Sequence, residues 1–148
     1  MTTKDYLKQL ARFESMIERK MNEAERLDIM AHSIKSPSYD PDKIQGSMVG
    51  DKMAIAVEKF IEAENQVSAL MELYLQKRQY IIEQIDGMPD RVSYIVLFDK
   101  YVEGKTNCEI AYTLKYSERW VKKAHAKALK EFEALYGAEY IDNPTIFS

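Results

Sequence analysis

The chain has 148 residues, of which 46% are hydrophobic and 30% charged, and its formal net charge is −3. That hydrophobic content suffices for a core, in one domain or in a small domain with an extension. The single cysteine excludes an internal disulfide framework and fits a reducing cytosol. Because no apolar run approaches the ~20 residues of a membrane span, and the N-terminus lacks a signal-peptide core, we expect a cytoplasmic protein without membrane contact.

The first predicted element is one long helix over residues 4–34, which contains no glycine or proline. Its apolar positions recur at spacings of three and four, the pattern of one helix face. These positions are Leu7, Leu10, Phe13, Ile17, Met21, Ala24 and Leu27. A helix this long with a narrow apolar stripe needs a partner helix, from the same chain or from another copy.

A connecting loop is predicted over residues 35–50, which contain two prolines and two glycines. A second long helix follows over residues 51–86, with a wide apolar stripe. The stripe comprises Met53, Val57, Phe60, Ile61, Val67, Leu70, Met71, Tyr74, Ile81 and Ile85. The two long helices can pair antiparallel as a hairpin or build an intermolecular bundle. Residues 1–88 are therefore predicted to be an oligomerisation or partner-binding region.

The pattern changes at Gly87 and Pro89, which end the second long helix and open the next one. We place the domain boundary here, after residue 88, and we expect a small helical domain over residues 89–136. Its first helix, residues 90–102, is apolar on most sides, which indicates the centre of a small trihelical core. So short a connection indicates a fixed relation between the long helix and this domain.

Two local signals then mark a short second helix over residues 107–114. Gly104 can end the preceding helix in the left-handed conformation at little steric cost. Thr106 and Glu109 have the spacing of a capping box, which starts the new helix. Cys108, early in this helix, is expected to be a small and partly buried residue.

The third helix of this domain is predicted from Ser117 to about Phe132, after a tight turn at Lys115-Tyr116. Its apolar residues fall on one face. They are Val121, Ala124, Ala128, Leu129 and Phe132. A short helix, a tight turn and a longer helix are the parts of a helix-turn-helix. Residues 137–148 are expected to form an irregular tail, so the predicted fold is all-α: a long helical hairpin followed by a helix-turn-helix domain.

Charge distinguishes this motif from an ordinary helical hairpin. Residues 115–130 carry six basic side chains and one acidic side chain, a net charge of +5, whereas residues 1–90 have a net charge of −4. A helix that is apolar on one side and cationic on the other suits the DNA major groove. We therefore expect double-stranded DNA as the partner, and we do not expect residues 1–90 to bind phosphate strongly.

The candidate DNA-binding residues lie within and around the turn. Arg119, Lys122 and Lys123 are assigned to base edges, whereas phosphates are assigned to Lys115, Ser117, Lys127 and Lys130. Glu118 either accepts from a cytosine amine or acts as a negative charge at the helix N-terminus. Trp120 either folds back over the preceding helix or contacts a sugar or a thymine methyl group.

The run from Gly104 to Phe132 resembles the C-terminal helix-turn-helix domain of bacterial sigma factors. The matching residues are Glu109-Ile110-Ala111, Ser117, Val121 and Ala128-Leu129. Tyr116 to Arg119 also match the Tyr-Ser-Glu-Arg phrase typical of sigma-like phage regulators of the ArpU/RinA type. The resemblance implies a transcription regulator of phage or prophage late genes, with RNA polymerase as a second partner. The sequence departs from true sigma factors in showing no match to their promoter-opening part, so we do not expect it to work as a complete sigma factor.

Two other functions are compatible with the same pattern. A phage DNA-packaging subunit of the small-terminase kind also joins a helix-turn-helix to oligomerising helices. A helical interaction adaptor would use the basic helix to bind an acidic protein, without binding DNA. The pattern does not indicate an enzyme, a cofactor or a metal site, because no nucleophile has a visible base partner and no His/Cys cluster has metal-ligand spacing.

Overall fold

A computed structural model describes residues 1–34 and 46–142 of the chain. Within these residues the secondary structure is helical and includes no β-strand, which confirms the all-α prediction. The helices are α1 (Thr3–Leu7), α2 (Gln9–Ile34), α3 (Gly46–Asp86), α4 (Arg91–Leu97), α5 (Asn107–Leu114) and α6 (Glu118–Tyr140), and α4 continues as a π-helical segment, Phe98–Val102. No helix of these residues has the length and apolar character that a membrane span requires.

Several predicted boundaries were wrong. The helix predicted over residues 4–34 has a turn at Lys8, between α1 and α2. Helix α3 begins at Gly46, so residues 46–50 are helical rather than part of a loop, and the rest of that predicted loop lies outside the described residues. The helix predicted over residues 90–102 changes to π-helical geometry after Leu97, where the Glu103 N–H donates to the Phe98 carbonyl at 3.1 Å.

The predicted irregular tail was also wrong in its first residues, because α6 continues through Gly137 to Tyr140. The Tyr140 side chain is 1% exposed, and its hydroxyl lies 2.7 Å from the Thr3 hydroxyl. A glycine inside a helix costs only about 1 kcal/mol, which the burial of a tyrosine ring offsets. Residues 143–148 of the predicted tail lie outside the described part of the chain.

The chain divides into two compact units, Met1–Glu14 with Tyr74–Ser148, and Ser15–Leu73. These units cut across the domain boundary that was placed after residue 88. In the first unit, one buried cluster contains residues from α1, α2, α3, α4, the π-helical segment and α6. Its members include Tyr6, Leu10, Ile81, Ile85, Leu97, Tyr101 and Phe132. The end of α3 therefore shares a core with the helices that follow it.

The second unit contains parts of the two long helices, and few of its described apolar side chains are buried. The buried apolar residues of α2 in this unit are Ile17, Ala24 and Ala31, and on α3 only Ala56 is equally buried among the described residues. Larger apolar side chains on the predicted stripes remain open to solvent: Met21 is 50% exposed and Ile61 is 51% exposed. Two helices alone cannot cover all sides of both apolar stripes.

Candidate nucleic-acid interface

The helix-turn-helix is held by two side-chain caps that the sequence predicts. The Thr106 hydroxyl accepts from the Glu109 N–H at 3.2 Å, and the Ser117 hydroxyl accepts from the Trp120 N–H at 3.1 Å. Between the caps, Lys115 adopts the left-handed conformation with φ 62°, and the Tyr116 N–H donates to the Ala111 carbonyl at 3.0 Å. These bonds satisfy backbone groups at both ends of the turn, so the direction of α6 is fixed relative to α5.

A small apolar cluster lies beneath the turn. It consists of Val96 from α4, Ile110 and Ala111 from α5, and Val121 from α6, each at most 6% exposed. Val121 is therefore the point where α6 contacts the trihelical core. The opposite side of α6 is left facing solvent.

Trp120 packs at the edge of this cluster and is half-buried. Its ring stacks on the ring of Tyr116, with centroids 3.8 Å apart and planes 13° apart. The Trp120 ring therefore contacts both the small apolar cluster and Tyr116 of the turn. Tyr116 covers it and remains 55% exposed.

The outward face of α6 is cationic. Arg119, Lys123 and Lys130 follow one another at spacings of four and seven, which places them on one stripe opposite Val121 and Ala128. All three are exposed. The other predicted contact residues, apart from the half-buried Trp120, are exposed as well: Lys115, Ser117, Glu118, Lys122 and Lys127.

One flank of α6 is partly neutralised by carboxylates. The Lys127 amine lies 3.6 Å from the Asp90 carboxylate and 3.7 Å from the Glu131 carboxylate. The backbone N–H of Val92 and the charge of Lys127 hold the pKa of Asp90 below its ordinary value. A lysine already placed between two carboxylates is a weaker phosphate ligand than its exposure alone suggests.

Lys122 lies on the other flank of α6, and its charge acts on Lys100. Lys100, on the π-helical segment, donates to the side-chain oxygen of Asn107 at 2.9 Å. Partial burial lowers the pKa of Lys100, and the nearby charges of Lys4, Lys8 and Lys122 lower it further. Lysines that are far apart in the sequence therefore act electrostatically on Lys100.

His125 lies on the inner side of α6 and is 9% exposed. Its Nε2 atom lies 2.6 Å from the Tyr101 hydroxyl, and the two share a hydrogen bond. Burial, together with the charges of Lys100, Lys4 and Lys8, lowers the pKa of His125 to about 4. The histidine is therefore a neutral packing residue at neutral pH.

Cys108 is exposed, contrary to the expectation that it would be partly buried. It faces Glu118 across the turn, and hydrogen bonding to that carboxylate raises the pKa of the thiol. The Glu118 carboxylate thus has a partner on α5. It also occupies the first turn of α6, where a negative charge is favourable.

Sequence reasoning missed four residues near this surface. Tyr112, on α5, is 87% exposed beside the turn. Lys4 and Lys8 were missed because their charges were averaged over the acidic residues 1–90. Lys100 was missed because the charge count of the motif began at residue 115. For Lys4 and Lys8, their spacing of four within the predicted first helix was the available signal.

Comparison of the chain with protein-family models, with curated proteins and with solved structures finds no match in any of the three. Among residues 1–34 and 46–142, no group of three or more His, Cys, Asp or Glu side chains has an arrangement that could hold a metal ion.

Proposed function

We propose that this chain is a sequence-specific regulator of transcription that binds double-stranded DNA through α6. In this proposal α6 enters the major groove with its outward face toward the bases. Arg119, Lys122 and Lys123 contact base edges, because they lie in the first two turns of a helix whose N-terminal part reaches deepest.

The observation that supports this most strongly is the combination of an exposed cationic stripe with a fixed helix. Arg119 and Lys123 are exposed, while Val121 between them is fully buried and Ser117 caps the helix. Recognition of base edges requires a helix that is fixed in position. A loosely held helix would lose the geometry of the bidentate hydrogen bonds that specify a base.

The remaining contacts are assigned to the phosphate backbone. Lys115 in the turn and Lys130 farther along α6 are exposed at the two ends of the stripe, and Ser117 lies at the N-terminus of α6. Lys127 contributes less in this assignment, because Asp90 and Glu131 already surround its amine. These contacts position the protein without reading sequence.

The resemblance to sigma factor C-terminal domains suggests which genes the protein would regulate. It favours control of phage or prophage late genes in a bacterial host, with the protein in the cytoplasm and on the nucleoid when bound. RNA polymerase is the second partner in this proposal.

A homo-oligomer is part of the proposal, because one helix-turn-helix rarely holds a site tightly and a dimer can read two half-sites. The unit Ser15–Leu73 leaves a group of large apolar side chains more than 45% exposed. They are Met16, Met21, Ile29, Met30, Ile55 and Ile61. Exposed apolar side chains in such number favour burial against a second copy.

The DNA-binding proposal is tested by selecting duplexes from a randomised library with the full chain and measuring affinity by fluorescence anisotropy. For the best duplex, Arg119→Ala should lose about 1–3 kcal/mol, roughly 5- to 150-fold in Kd, if Arg119 pairs with guanine. Arg19→Ala, an exposed arginine of the other unit, is the matched control. An unenriched library, or equal affinities for both variants, would refute the assignment.

The oligomer is tested separately by light scattering at micromolar concentration. Ile61→Glu should shift the mass toward the monomer, since it places a charge in the exposed apolar area, whereas Gln66→Glu on the same helix should not. A wild-type chain that is monomeric and still binds DNA with full affinity would contradict the dimer. A closed ring of many subunits would instead favour the packaging-subunit function.

A further inference from the structure

A stacked pair of aromatic rings lies at the turn of the helix-turn-helix. The Tyr116 ring stacks on the Trp120 ring, with centroids 3.8 Å apart and planes 13° apart. Trp120 in turn packs against the small apolar cluster that contains Val121. One face of the Tyr116 ring is therefore covered by the indole, while the residue as a whole remains 55% exposed.

Hydrogen bonds hold the backbone at both rings of this pair. The Tyr116 N–H donates to the Ala111 carbonyl at 3.0 Å, and the Trp120 N–H donates to the Ser117 hydroxyl at 3.1 Å. Among the hydrogen bonds between residues 1–34 and 46–142, none involves the Tyr116 hydroxyl. Because stacking already holds the ring, a ligand that binds this hydroxyl would lose little affinity to the ordering of the side chain.

The residues next to the pair in the sequence include two cations. Lys115 directly precedes Tyr116, and Arg119 directly precedes Trp120. Both are exposed, and the backbone at Lys115 is in the left-handed conformation of the turn. The stacked rings therefore lie among side chains that attract an anionic partner.

Two carboxylates also lie near the turn, and both act on the same thiol. Glu118 hydrogen-bonds to the Cys108 thiol, and the charges of Glu118 and Glu109 raise the pKa of that thiol. Both carboxylates therefore act at the start of α5, whereas Tyr116 follows the end of that helix. A neutral hydroxyl donor at Tyr116 has no charge of its own for these carboxylates to cancel.

We propose that Tyr116 contacts the sugar-phosphate backbone of duplex DNA and that Trp120 positions its ring for this contact. This inference rests on the proposed function and adds a neutral residue to the cationic ones assigned there. The ring would pack against a deoxyribose, and the hydroxyl would donate to a phosphate oxygen. The ligand is the backbone rather than a base edge, because Tyr116 lies between Lys115 and Ser117, which are both assigned to phosphates.

The test measures binding of the full chain to a fluorescein-labelled random-sequence duplex of about 30 base pairs, by anisotropy between 50 and 200 mM salt. Tyr116→Phe keeps a ring that can stack and removes only the hydroxyl. It should weaken binding about tenfold, because a hydrogen bond to a charged group is lost. The slope of log K against log salt should stay unchanged, since the hydroxyl is neutral, whereas Lys115→Gln should lower it by about 0.9.

The matched control is Tyr112→Phe, which removes the hydroxyl of a tyrosine that is 87% exposed on α5. If Tyr116→Phe weakens binding no more than this control does, the inference is wrong while the proposed function stands. If the wild-type chain binds no duplex, the proposed function itself is wrong. Far-UV circular dichroism melts check that the variants fold.

The positioning role of Trp120 is tested by a double-mutant cycle. Trp120→Leu keeps an apolar side chain at the edge of the cluster but removes the stacked ring. In this background Tyr116→Phe should weaken binding by no more than about twofold, because the hydroxyl is no longer held at the phosphate. Losses that simply add would overturn the positioning role.

A duplex with deoxyuridine in place of thymidine distinguishes the backbone from a thymine methyl group. Contact with the backbone predicts that Tyr116→Ala weakens binding to both duplexes by the same factor, because both have the same sugars and phosphates. A loss that is confined to the thymidine duplex would show that Tyr116 contacts the methyl group, and would overturn the inference.

Discussion

Lowering the pH from 7 to 5 should destabilise this protein through His125. The folded state keeps the imidazole neutral, because burial and the charges of Lys100, Lys4 and Lys8 lower its pKa to about 4, whereas the ordinary value is 6.5. The unfolded chain therefore binds one more proton than the folded chain between these two values. Stability is complete above pH 6.5 and falls as the pH drops toward 4.

The size of this effect follows from the pKa difference. Each pKa unit corresponds to about 1.4 kcal/mol, so at pH 5 the loss in the free energy of unfolding is about 2 kcal/mol relative to pH 7. Below pH 4 the loss from this group levels off at about 3 kcal/mol. The hydrogen bond between His125 and the Tyr101 hydroxyl is part of the neutral arrangement that protonation disrupts.

The assay is urea unfolding followed by far-UV circular dichroism at pH 7, 6 and 5, at constant ionic strength. His125→Gln is the matched variant, because glutamine can accept a hydrogen bond from Tyr101 but does not titrate. The variant should lose stability at pH 7 and then change much less than the wild type down to pH 5. A wild-type free energy that is constant over this range, or an equal pH dependence in His125→Gln, would refute the reasoning.

Three further predictions concern the motif itself. Ser117→Ala should lower the free energy of unfolding by about 1 kcal/mol, because the Trp120 N–H loses its 3.1 Å acceptor. Thermal melts measure this loss, and Ser117→Asp, which keeps a cap, is the control. Gly104→Ala should cost about 1 kcal/mol, since φ is +71° there although a new Cβ would meet nothing within 4 Å; unchanged urea midpoints would contradict this. Lys127→Gln should weaken duplex binding less than Lys123→Gln in the anisotropy assay, because Asp90 and Glu131 already hold the Lys127 amine.

The local parts of the motif were predictable from the sequence because local interactions determine them. A hydroxyl at Thr106 or Ser117 can cap only the helix that starts next to it, and a glycine at position 104 indicates a left-handed turn on its own. The structure has both caps and a positive φ at Gly104. Lys115 also adopts the left-handed conformation, which a lysine at that position does not indicate.

The error at the end of α6 occurred where a distant contact overrides local preference. Gly137 indicated the end of a helix, but the helix continues because Tyr140 is buried against Tyr6, which lies more than 130 residues earlier. Residues 46–50 contain two glycines and were expected to be a loop, yet α3 includes them. Neither outcome has a signature within a short sequence window.

The candidate site shows the same division between local and distant information. The exposure of Arg119, Lys122 and Lys123 follows from helix periodicity, because Val121 must face the core and its neighbours must then face away. The effect of the Lys4 charge on the pKa of Lys100 depends on long-range packing, because Tyr6 and Tyr101 belong to one buried cluster, and no charge count contains this.

This distinction changes how net charge should be interpreted for this chain. An average over residues 1–90 is acidic, but binding to a duplex depends on the charges that face it within a Debye length of about 10 Å at 0.1 M salt. In the folded chain the charges of Lys4, Lys8 and Lys122 each lower the pKa of Lys100, after the larger effect of its burial. A stretch that is acidic on average can therefore still contain lysines whose charge acts on a cationic residue of a later segment, as Lys4 and Lys8 do on Lys100.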